Sequence, residues 1–360
     1  MTSPAPGPYL KLTAYFSERQ RIGSEFLADS MLDLLSDRHV ASSVVLRGIA
    51  SFGHSHIIRS DRSLTLSEDP PITIAAIDTE DVITGLVPDA VDLMAKGTLT
   101  LERARLVGGP SMQALPSDHD VKLTIYIGRR KLIKGLPGYY AVCDLLHRHH
   151  FAGASVLLGV DGTIEGQRRR AKFFGRNSEV PLMIIAIGTA AQVEGVLPEL
   201  ESLIYSRMIT VERVQICTRD GQLLARPPEL PMVDGAGRPL WQKLMVHSSE
   251  ATLHDGVPVH RAIVRKLFES RAAAGTTVLR GIWGFYGDHK PHGDALIQFR
   301  RQVPVTTIII DTPDRMQNIF GIVDELTERR GVITSEMVPA VVTTTDERRY
   351  GTTELADFEF

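Results

Sequence analysis

The stretch Val45-Leu46-Arg47-Gly48-Ile49 recurs 233 residues later as Val278-Leu279-Arg280-Gly281-Ile282, and the same offset relates residues 71–79 to residues 304–312. A constant offset over this span means that the loop inside it has the same length in both copies. A more divergent copy lies between them, 110 or 111 residues after the first, and it aligns Gly48 with Gly159. The chain therefore contains three copies of one structural unit.

The three copies predict the domain organisation. We expect repeat 1 at residues 9–107, a divergent repeat 2 at 121–217 and repeat 3 at 242–342, with linkers at 108–120 and 218–241 and a mobile tail at 343–360. Alternating apolar runs and helically spaced apolar residues give each repeat the order βαββαβ. This order predicts an α+β fold of three tandem ferredoxin-like domains. One face of each sheet lacks helices, so we expect the repeats to bury these faces against one another as an intramolecular pseudo-trimer.

Composition excludes several classes of protein. The chain has 360 residues, 43% of them hydrophobic, and its 40 basic and 43 acidic residues give a net charge of -3, which argues against a nucleic-acid partner. There is no apolar run long enough to span a membrane and no signal peptide at the amino end, so we expect a protein that is not inserted in the membrane. Two cysteines are too few for a disulfide framework and suit a cytoplasmic protein.

Several motifs resemble a known family. They are Lys-Leu-Thr-x-Tyr at 11–15 and 122–126, the repeated Val-Leu-Arg-Gly-Ile, Gly281-Ile282-Trp283-Gly284-Phe285 and Thr100-Leu101-Glu102. They resemble the domain-of-unknown-function 190 family, which belongs to the PII-like superfamily. PII-like proteins are trimers of ferredoxin-like subunits that carry a long T-loop between the second and third strands, and many bind adenine nucleotides or other small effectors between subunits. The resemblance implies T-loops at about residues 50–70, 160–180 and 283–303.

The resemblance also implies where an effector binds. Each cleft would be lined by a T-loop base and by the turn before a fourth strand, which is Lys96-Gly97-Thr98 in repeat 1 and includes Gly331 in repeat 3. The usual PII nucleotide loop, Gly-Asp-Gly-Lys, is richer in glycine than these turns. The implied ligand is a small anionic effector such as ATP, ADP, AMP or a cyclic nucleotide, and the implied assembly is a monomer that acts as a pseudo-trimer.

The end of the second strand supplies further candidates. Gly48 and Gly281 can allow a close approach of ligand or backbone there, and the preceding Arg47 and Arg280 can hold a phosphate or carboxylate. The equivalent residue in repeat 2 is Leu158, so three identical anion sites are excluded. A bend that starts the loop is the simpler explanation of the glycines, and a structural ion pair between repeats explains the arginines as well as a ligand contact does.

The three loops are rich in basic and titratable residues. We expect these side chains to contact a partner protein, for example a membrane transport protein: His54, His56, Arg59, Arg168, Arg169, Arg170, His289 and His292. Solvated surface charge is the simpler explanation of such a cluster. Bound metal would require a third ligand beyond either histidine pair, so we predict no metal site.

Catalytic motifs are not found in the sequence, and we expect a protein that is not an enzyme. Asp78 and Asp311 are better explained as helix caps than as general bases, since Gly188 replaces them in repeat 2. Trp241 and Trp283 are interpreted as packing residues. The leading hypothesis is a signalling protein that binds an effector between repeats. The alternatives are an adaptor that needs no effector and a metal-dependent hydrolase or metal-binding protein.

Overall fold

The computed structural model describes the chain except residues 1–6, 54–57, 61–68, 109–114, 130, 131, 134, 171–179, 205–207, 288, 294–302, 346, 347, 359 and 360. Each repeat has four principal strands and two helices in the predicted order. In repeat 1 the strands are Tyr9–Ser17, Ser42–Phe52, Pro71–Thr79 and Gly97–Leu106, and the helices are Leu27–Asp37 and Glu80–Leu93.

Repeats 2 and 3 repeat this pattern with interrupted strands. Repeat 2 has strands Asp120–Gly128, Gly153–Ile164, Pro181–Thr189, Ile209–Arg213 and Gln215–Arg219, and helices Gly138–Arg148 and Ala190–Leu203. Repeat 3 has strands Trp241–Ser249, Thr276–Arg280, Trp283–Tyr286, Pro304–Asp311, Val332–Val338 and Ala340–Thr344, and helices Val259–Glu269 and Pro313–Thr327. Two-residue strands form a small hairpin before the first helix of each repeat: Arg21–Ile22 with Glu25–Phe26, Leu132–Ile133 with Leu136–Pro137, and Leu253–His254 with Val257–Pro258. The remaining short strands are Arg59–Ser60, Gln167–Arg168, Gln222–Leu223, His292–Gly293 and Arg349–Thr352.

The strands of each repeat lie in one antiparallel sheet. Their order across the sheet is second, third, first, fourth: in repeat 1 Tyr9 is opposite Thr79 and Ala104, and Ser42 is opposite Ile77. The same order holds in repeats 2 and 3. The helices cover one face of each sheet, where a separate apolar core forms in every repeat.

The second strands continue beyond their own sheets and pair with those of the other repeats. Residues 42–46 pair with 159–164, residues 48–52 with 276–279, and residues 153–156 with 283–286. Repeat 1 is thereby joined to repeats 2 and 3, and repeats 2 and 3 are joined to each other. These pairings form a closed cycle among the three repeats.

The fourth strands make a second cycle of the same kind. Residues 105–106 pair with 210–211, residues 215–218 with 333–335, and residues 340–344 with 97–101. The helix-free sheet faces supply a fourth apolar core with members from all three repeats, including Leu46, Leu157, Met245 and Leu279. This shared core buries the sheet faces that the sequence leaves without a helix.

Described residues of the predicted tail at 343–360 make hydrogen bonds to the rest of the chain. Arg349–Thr352 pairs with Ala340–Thr344, and Ala356 is buried, with its N–H donating to the carbonyl of Pro339 at 2.9 Å. The strand Ala340–Thr344 extends past the predicted end of repeat 3 at residue 342 by Thr343 and Thr344. Among the described residues no helix is long and apolar enough to cross a membrane.

Candidate functional site

A cleft of about 550 Å³ lies between repeat 1 and repeat 3, and we call it the 1/3 cleft. Four elements form walls of this cleft. Repeat 1 supplies the base of the first loop and the turn before its fourth strand, repeat 3 supplies the start of its second strand, and the carboxyl-terminal hairpin supplies the fourth wall. The lining residues used below are Tyr15, Phe16, Gln20, Phe52, Arg59, Lys96, Gly97, Thr98, Trp241, Thr276, Thr343, Thr344 and Tyr350.

The turn Lys96-Gly97-Thr98 lines the cleft. Gly97 has a φ of +135°, and a Cβ atom on it would collide with the carbonyl oxygen of Tyr15. Only glycine accommodates both the conformation and the close approach. This turn therefore has a backbone shape that a larger residue would disrupt.

The base of the first loop brings a cation to the same cleft. Arg59 lies in a short strand that pairs with Ala50–Ser51, near the end of the second strand at Phe52. The Arg59 Nε is 3.5 Å from a carboxylate oxygen of Asp69, at the other end of the loop. A ligand in the cleft would consequently contact a residue of the loop itself.

Repeat 3 contributes residues 274–277, which are held by side-chain hydrogen bonds. Asp311 accepts the backbone N–H of Ala274 at 2.7 Å, and Thr276 donates to the carbonyl of Ile308 at 2.9 Å. In repeat 1 Asp78 accepts the N–H of Ala41 at 2.7 Å in the same way. Each aspartate also accepts the N–H of the threonine that follows it, at 2.7 Å for Asp78 and 2.8 Å for Asp311. The two aspartates therefore fasten the end of the third strand to the start of the second, which differs from the expected helix caps.

The carboxyl-terminal hairpin closes the cleft and is anchored on repeat 1. Thr343 and Thr344 pair with Thr98 and Gly97, and the hydroxyl oxygens of Thr98 and Thr343 are 3.2 Å apart. Arg349 donates to the carbonyl of Val91 at 3.4 Å, at the carboxyl end of a repeat 1 helix, where a cation interacts favourably with the helix dipole. Residues after the last predicted domain thus form part of the site.

Aromatic side chains and unpaired polar atoms mark the wall of the cleft. Burial, with the nearby Glu102, raises the pKa of Tyr15 well above its ordinary value, so its hydroxyl stays protonated. Gln20 Nε2, Trp241 Nε1 and Thr344 Oγ1 are buried without a hydrogen-bond partner. Buried polar atoms are ordinarily hydrogen-bonded, so these three are available partners for a ligand or water in the cleft.

Other predicted effector residues lie outside this lining. Arg47 pairs with Glu18 at 2.7 Å, and Arg280 forms a bidentate pair with Glu250, including a 2.5 Å contact. Both pairs join the end of the first strand to the second strand within one repeat. A Cβ atom on Gly48 would lie 2.7 Å from Pro71 Cγ and 2.9 Å from the Val278 carbonyl oxygen, so the neighbouring repeat occupies that space.

Gly281 and Gly331 are also required by the packing of the protein. A Cβ atom on Gly281 would lie 2.7 Å from Pro304 Cγ and 3.0 Å from the Val156 carbonyl oxygen. Gly331 has a φ of +92°, and its Cβ would collide with the carbonyl oxygen of His247. These positions repeat the close approaches seen at Gly48 and Gly97. The repeated glycines are explained by contacts within the protein.

The predicted loop contacts fall into two groups. Arg168 lies 2.6 Å from Asp29 and 2.5 Å from Asp33, both on the first helix of repeat 1, and 2.8 Å from Asp161. Arg170 also pairs with Asp29, at 3.1 Å, and the Arg169 side chain donates to Gln167 at 2.8 Å. The basic run of the second loop thus binds acidic residues of its own chain.

The histidines of the other loops are described only in part. His54 and His56 lie outside the described residues. His289 packs 5.0 Å from the ring of Tyr286, and the His292 imidazole is 2.8 Å from the Lys290 carbonyl oxygen. Trp283 begins the repeat 3 strand Trp283–Tyr286, and its ring centroid is 4.2 Å from that of Tyr140 in repeat 2. Trp283 is thus a packing residue, whereas Trp241 lines the cleft.

Six buried charged residues meet where the three repeats converge: Lys11, Lys122, Lys243, Glu102, Glu212 and Glu336. Each lysine contacts the glutamate of its own repeat and that of another repeat. Burial opposes the charge of Lys11, but the three glutamates outweigh it and raise its pKa well above the ordinary value. Burial alone would raise the pKa of Glu102. The charges of Lys11, Lys243 and Lys122 outweigh burial and hold this pKa well below its usual range.

The glutamates are the one group of three potential metal ligands found among the described residues. Three ammonium groups already neutralise their three carboxylates, so the cluster is an internal ion-pair network and its charge does not call for a metal. We refer to these six residues as the lysine–glutamate network. Sequence reasoning missed it, although a lysine at the same strand position of all three repeats was the available signal.

The domain-of-unknown-function family DUF190, described as an uncharacterized ACR, matches residues 9–106, 120–216 and 241–340. The chain belongs to the DUF190 family. The three DUF190 segments correspond to the three repeats and leave the carboxyl-terminal hairpin beyond residue 340 outside the match. Among solved structures, an aspartate kinase from Synechocystis is similar at 11% identity with a TM-score of 0.22. That similarity covers 96% of this chain and 47% of the kinase, so the chain spans about half the length of that protein.

Proposed function

We propose that this DUF190 protein is a PII-like sensor in which three repeats take the places of three subunits. A small anionic effector binds in the 1/3 cleft, and the neighbouring loops contact a partner protein. The observation that carries this proposal is the convergence of Lys96, Gly97 and Arg59 on one cleft between repeats. The closed cycles of strand pairing support the comparison with a trimer.

The chemistry of the cleft suits an anion with a flat ring. Arg59 and Lys96 provide positive charge, and arginine in particular forms strong hydrogen bonds to phosphate or carboxylate oxygens. Aromatic residues such as Tyr15 and Trp241 offer flat apolar faces for a ring system. A volume of about 550 Å³ is within the ordinary range for sites that bind small molecules.

The position of Arg59 provides a route from the effector to the loop. This residue both lines the cleft and lies within the loop that follows Phe52. An anion that binds Arg59 competes with its ion pair to Asp69, which lies at the far end of the same loop. A ligand that interacts differently with two loop arrangements shifts their populations, and this is the physical requirement for a sensor.

A thermal-shift screen of the full chain against nucleotides and common anions tests the proposal, because a ligand that binds only the folded state raises its apparent stability. We expect one or more anionic compounds at millimolar concentration to raise the melting temperature by several degrees. Lys96→Ala and Arg59→Ala should abolish the shift. Arg265→Ala removes the same charge from an exposed helix and should retain it.

Absence of any shift would overturn the effector proposal and favour an adaptor that docks its partner without a ligand. A shift that survives both Lys96→Ala and Arg59→Ala would also overturn it, because the ligand would then bind elsewhere. Partner recognition is tested separately. Capture of a protein in the presence and absence of the ligand should give different yields if the loops respond to the effector.

A further inference from the structure

The small hairpin before the first helix differs among the three repeats. In repeat 2 it is formed by Leu132–Ile133 and Leu136–Pro137, and we call it the repeat 2 hairpin. Leu132 is 63% exposed and Leu136 is 62% exposed, the highest values for large apolar side chains among the described residues. Apolar side chains exposed together indicate a surface for interaction.

The inner side of the repeat 2 hairpin packs against the protein. Ile133 and Tyr139 contact the apolar core of repeat 2, and the ring of Tyr139 stacks on that of Tyr140 with 4.8 Å between centroids. Tyr140 in turn packs on Trp283 of repeat 3. The hairpin therefore has a packed base, and its two leucines are exposed beyond that base.

Basic residues surround the two leucines in the sequence. Residues 129–137 contain four lysines and arginines, and no acidic residue occurs between Asp120 and Asp144. Of the four, the structure describes Arg129, which directly follows the first strand of repeat 2. The other three, at positions 130, 131 and 134, lie outside the described residues and add their charge to the segment. The segment is therefore both apolar and cationic.

Repeats 1 and 3 carry the opposite charge at the position of Arg129. Glu18, Arg129 and Glu250 are equivalent, because each donates its backbone N–H to the carbonyl just before the third strand, at 2.8–2.9 Å. In repeats 1 and 3 this glutamate pairs with an arginine of the second strand, and Leu158 takes the place of that arginine in repeat 2. Repeat 2 thus replaces an ion pair by a cation and an apolar residue.

The hairpins of repeats 1 and 3 lack the combination found in repeat 2. In repeat 1 the Arg21 guanidinium lies over the Phe26 ring, 4.0 Å from its centroid. In repeat 3 Leu253 and Val257 are 37% and 43% exposed, and Asp255 lies between them in the sequence. The repeat 3 hairpin has the same backbone pairing as the repeat 2 hairpin without its lysines and arginines, so it provides a matched control.

We propose that the repeat 2 hairpin docks the protein on an anionic lipid surface. Leu132 and Leu136 enter the boundary between headgroups and acyl chains, and the basic segment is attracted to the negative charge of the lipids. Tyrosine is favoured at this boundary, and Tyr139 and Tyr140 at the base of the hairpin are half-buried. This inference is independent of the 1/3 cleft and of its effector.

The size of the repeat 2 hairpin favours lipid over a protein as its occupant. A stable protein interface buries roughly 800 Å² on each side, and two strands of two residues supply only a small part of such an area. A bilayer needs no complementary shape, because apolar burial and attraction between charges suffice for reversible binding.

Flotation of the full chain with lipid vesicles tests the inference. The vesicles are made of phosphatidylcholine alone or of equal parts of phosphatidylcholine and phosphatidylserine. We expect partition onto the mixed vesicles to be stronger by at least about tenfold, because each cation near an anionic surface adds to binding. Added salt should weaken this partition, since it screens the attraction.

Variants assign the docking to the repeat 2 hairpin. Leu132→Ser/Leu136→Ser should weaken partition onto the mixed vesicles by at least about tenfold, because apolar burial is lost. The matched change in repeat 3, Leu253→Ser/Val257→Ser, should leave partition unchanged. Arg129→Gln should weaken it by about fivefold through the loss of one cation. The melting temperature of each variant distinguishes loss of docking from loss of the fold.

A fluorescent label at position 132 reports insertion directly. Leu132→Cys accepts an environment-sensitive label selectively, since Cys143 and Cys217 are buried, and its emission should increase on the mixed vesicles. The same label in Leu253→Cys should not respond. No binding to the mixed vesicles would overturn the inference and favour a protein as the occupant of the hairpin. Equal losses in the two double variants would overturn the assignment to repeat 2, and both outcomes leave the effector proposal intact.

Discussion

Lys122 Nζ lies 2.5 Å from a carboxylate oxygen of Glu336, although the two residues belong to different repeats. Lys243 is 2.6 Å from Glu102 of repeat 1, and Lys11 contacts Glu212 of repeat 2. The three contacts follow the same cyclic order as the strand pairing. The lysine–glutamate network therefore links each repeat to both others through buried charges.

Removal of one lysine should destabilise the whole chain. Lys122→Met leaves Glu212 and Glu336 with less compensation in a buried site, and breaking a buried ion pair in this way costs about 3–5 kcal/mol. Urea unfolding followed by circular dichroism measures this cost. Lys266→Met, on an exposed helix position, should change stability by less than about 0.5 kcal/mol.

The double variant Lys122→Met/Glu212→Gln restores charge balance. We expect it to cost less than the sum of the two single variants, with a coupling energy of at least about 1 kcal/mol. A cost below about 1 kcal/mol for Lys122→Met would contradict an energetic role for the network. Additivity of the two single variants would show that Lys122 and Glu212 act independently.

Local sequence patterns predict the elements of each repeat but not this network. Lys11-Leu12-Thr13 and Thr100-Leu101-Glu102 stand out as repeated motifs, and their alternation indicates strands. A single charge in such a strand is ordinarily exposed. Its burial here depends on strands from three repeats that converge, and this is a contact between distant parts of the chain that periodicity does not report.

Residues named as candidates from the sequence lie in different places in the structure for physical reasons. The turn Lys96-Gly97-Thr98 lines the cleft, and its place before the fourth strand follows from the element order. Arg47 and Arg280 are candidates for anion binding from the sequence, but Glu18 and Glu250, each directly after the first strand of the same repeat, form ion pairs with them. The sequence does not indicate the wall after residue 342, because Thr343 and Thr344 are polar and acquire their strand partners Thr98 and Gly97 only when repeat 3 meets repeat 1.

One effector per chain is expected, because the other two loop bases are held by contacts of their own. At the base of the second loop Arg168 binds Asp29 and Asp33. Near the base of the third loop Trp283 packs on Tyr140. The carboxyl-terminal hairpin also follows repeat 3 alone. Native mass spectrometry with saturating ligand should show one bound molecule, and Arg168→Ala should not add a second. Three molecules of equal affinity would contradict this assignment.

Docking of the carboxyl-terminal tail should influence the effector site. The carboxylate of Asp234 accepts the N–H groups of Ala236, Arg238 and Asp357 at 2.8–2.9 Å. The bond from the Asp357 N–H and those from Arg238 hold the pKa of Asp234 below its usual range, so the tail stays docked until the pH falls far enough to protonate this carboxylate. The same tail follows the hairpin that brings Tyr350 to the cleft.

Asp234→Ala should release the tail and accelerate hydrogen exchange across residues 348–358. It should also weaken effector binding roughly tenfold, because the displaced wall loses contacts equivalent to about one hydrogen bond. Hydrogen exchange with mass spectrometry and calorimetry on the same variant provide the two readouts. Asp357→Ala is the matched control, because it retains the backbone N–H that Asp234 binds. Unchanged affinity in Asp234→Ala, despite faster exchange of the tail, would separate tail docking from the effector site.

Mild acid should destabilise the protein through two buried histidines. Burial, with nearby Lys122, lowers the pKa of His247 to about 4, despite the opposing Glu336, and burial, with Arg261 and Arg280, lowers that of His260 to about 4. Neither His260 ring nitrogen has a hydrogen-bond partner. Both histidines are neutral in the folded protein at pH 5, whereas an unfolded histidine binds a proton below a pKa of about 6.5.

The unfolded chain binds more protons than the folded protein between about pH 6.5 and 4. The free energy of unfolding is therefore highest above this window and decreases as the pH falls through it, by up to roughly 1.4 kcal/mol per pH unit for each histidine. Urea unfolding at pH 7, 6 and 5 should show the loss. His260→Leu removes an unpaired imidazole from an apolar site and should flatten the dependence by about half, whereas His289→Gln, at an exposed position, should leave it unchanged. A profile in His260→Leu as steep as that of the unmodified chain would show that His260 already binds its proton in the folded state.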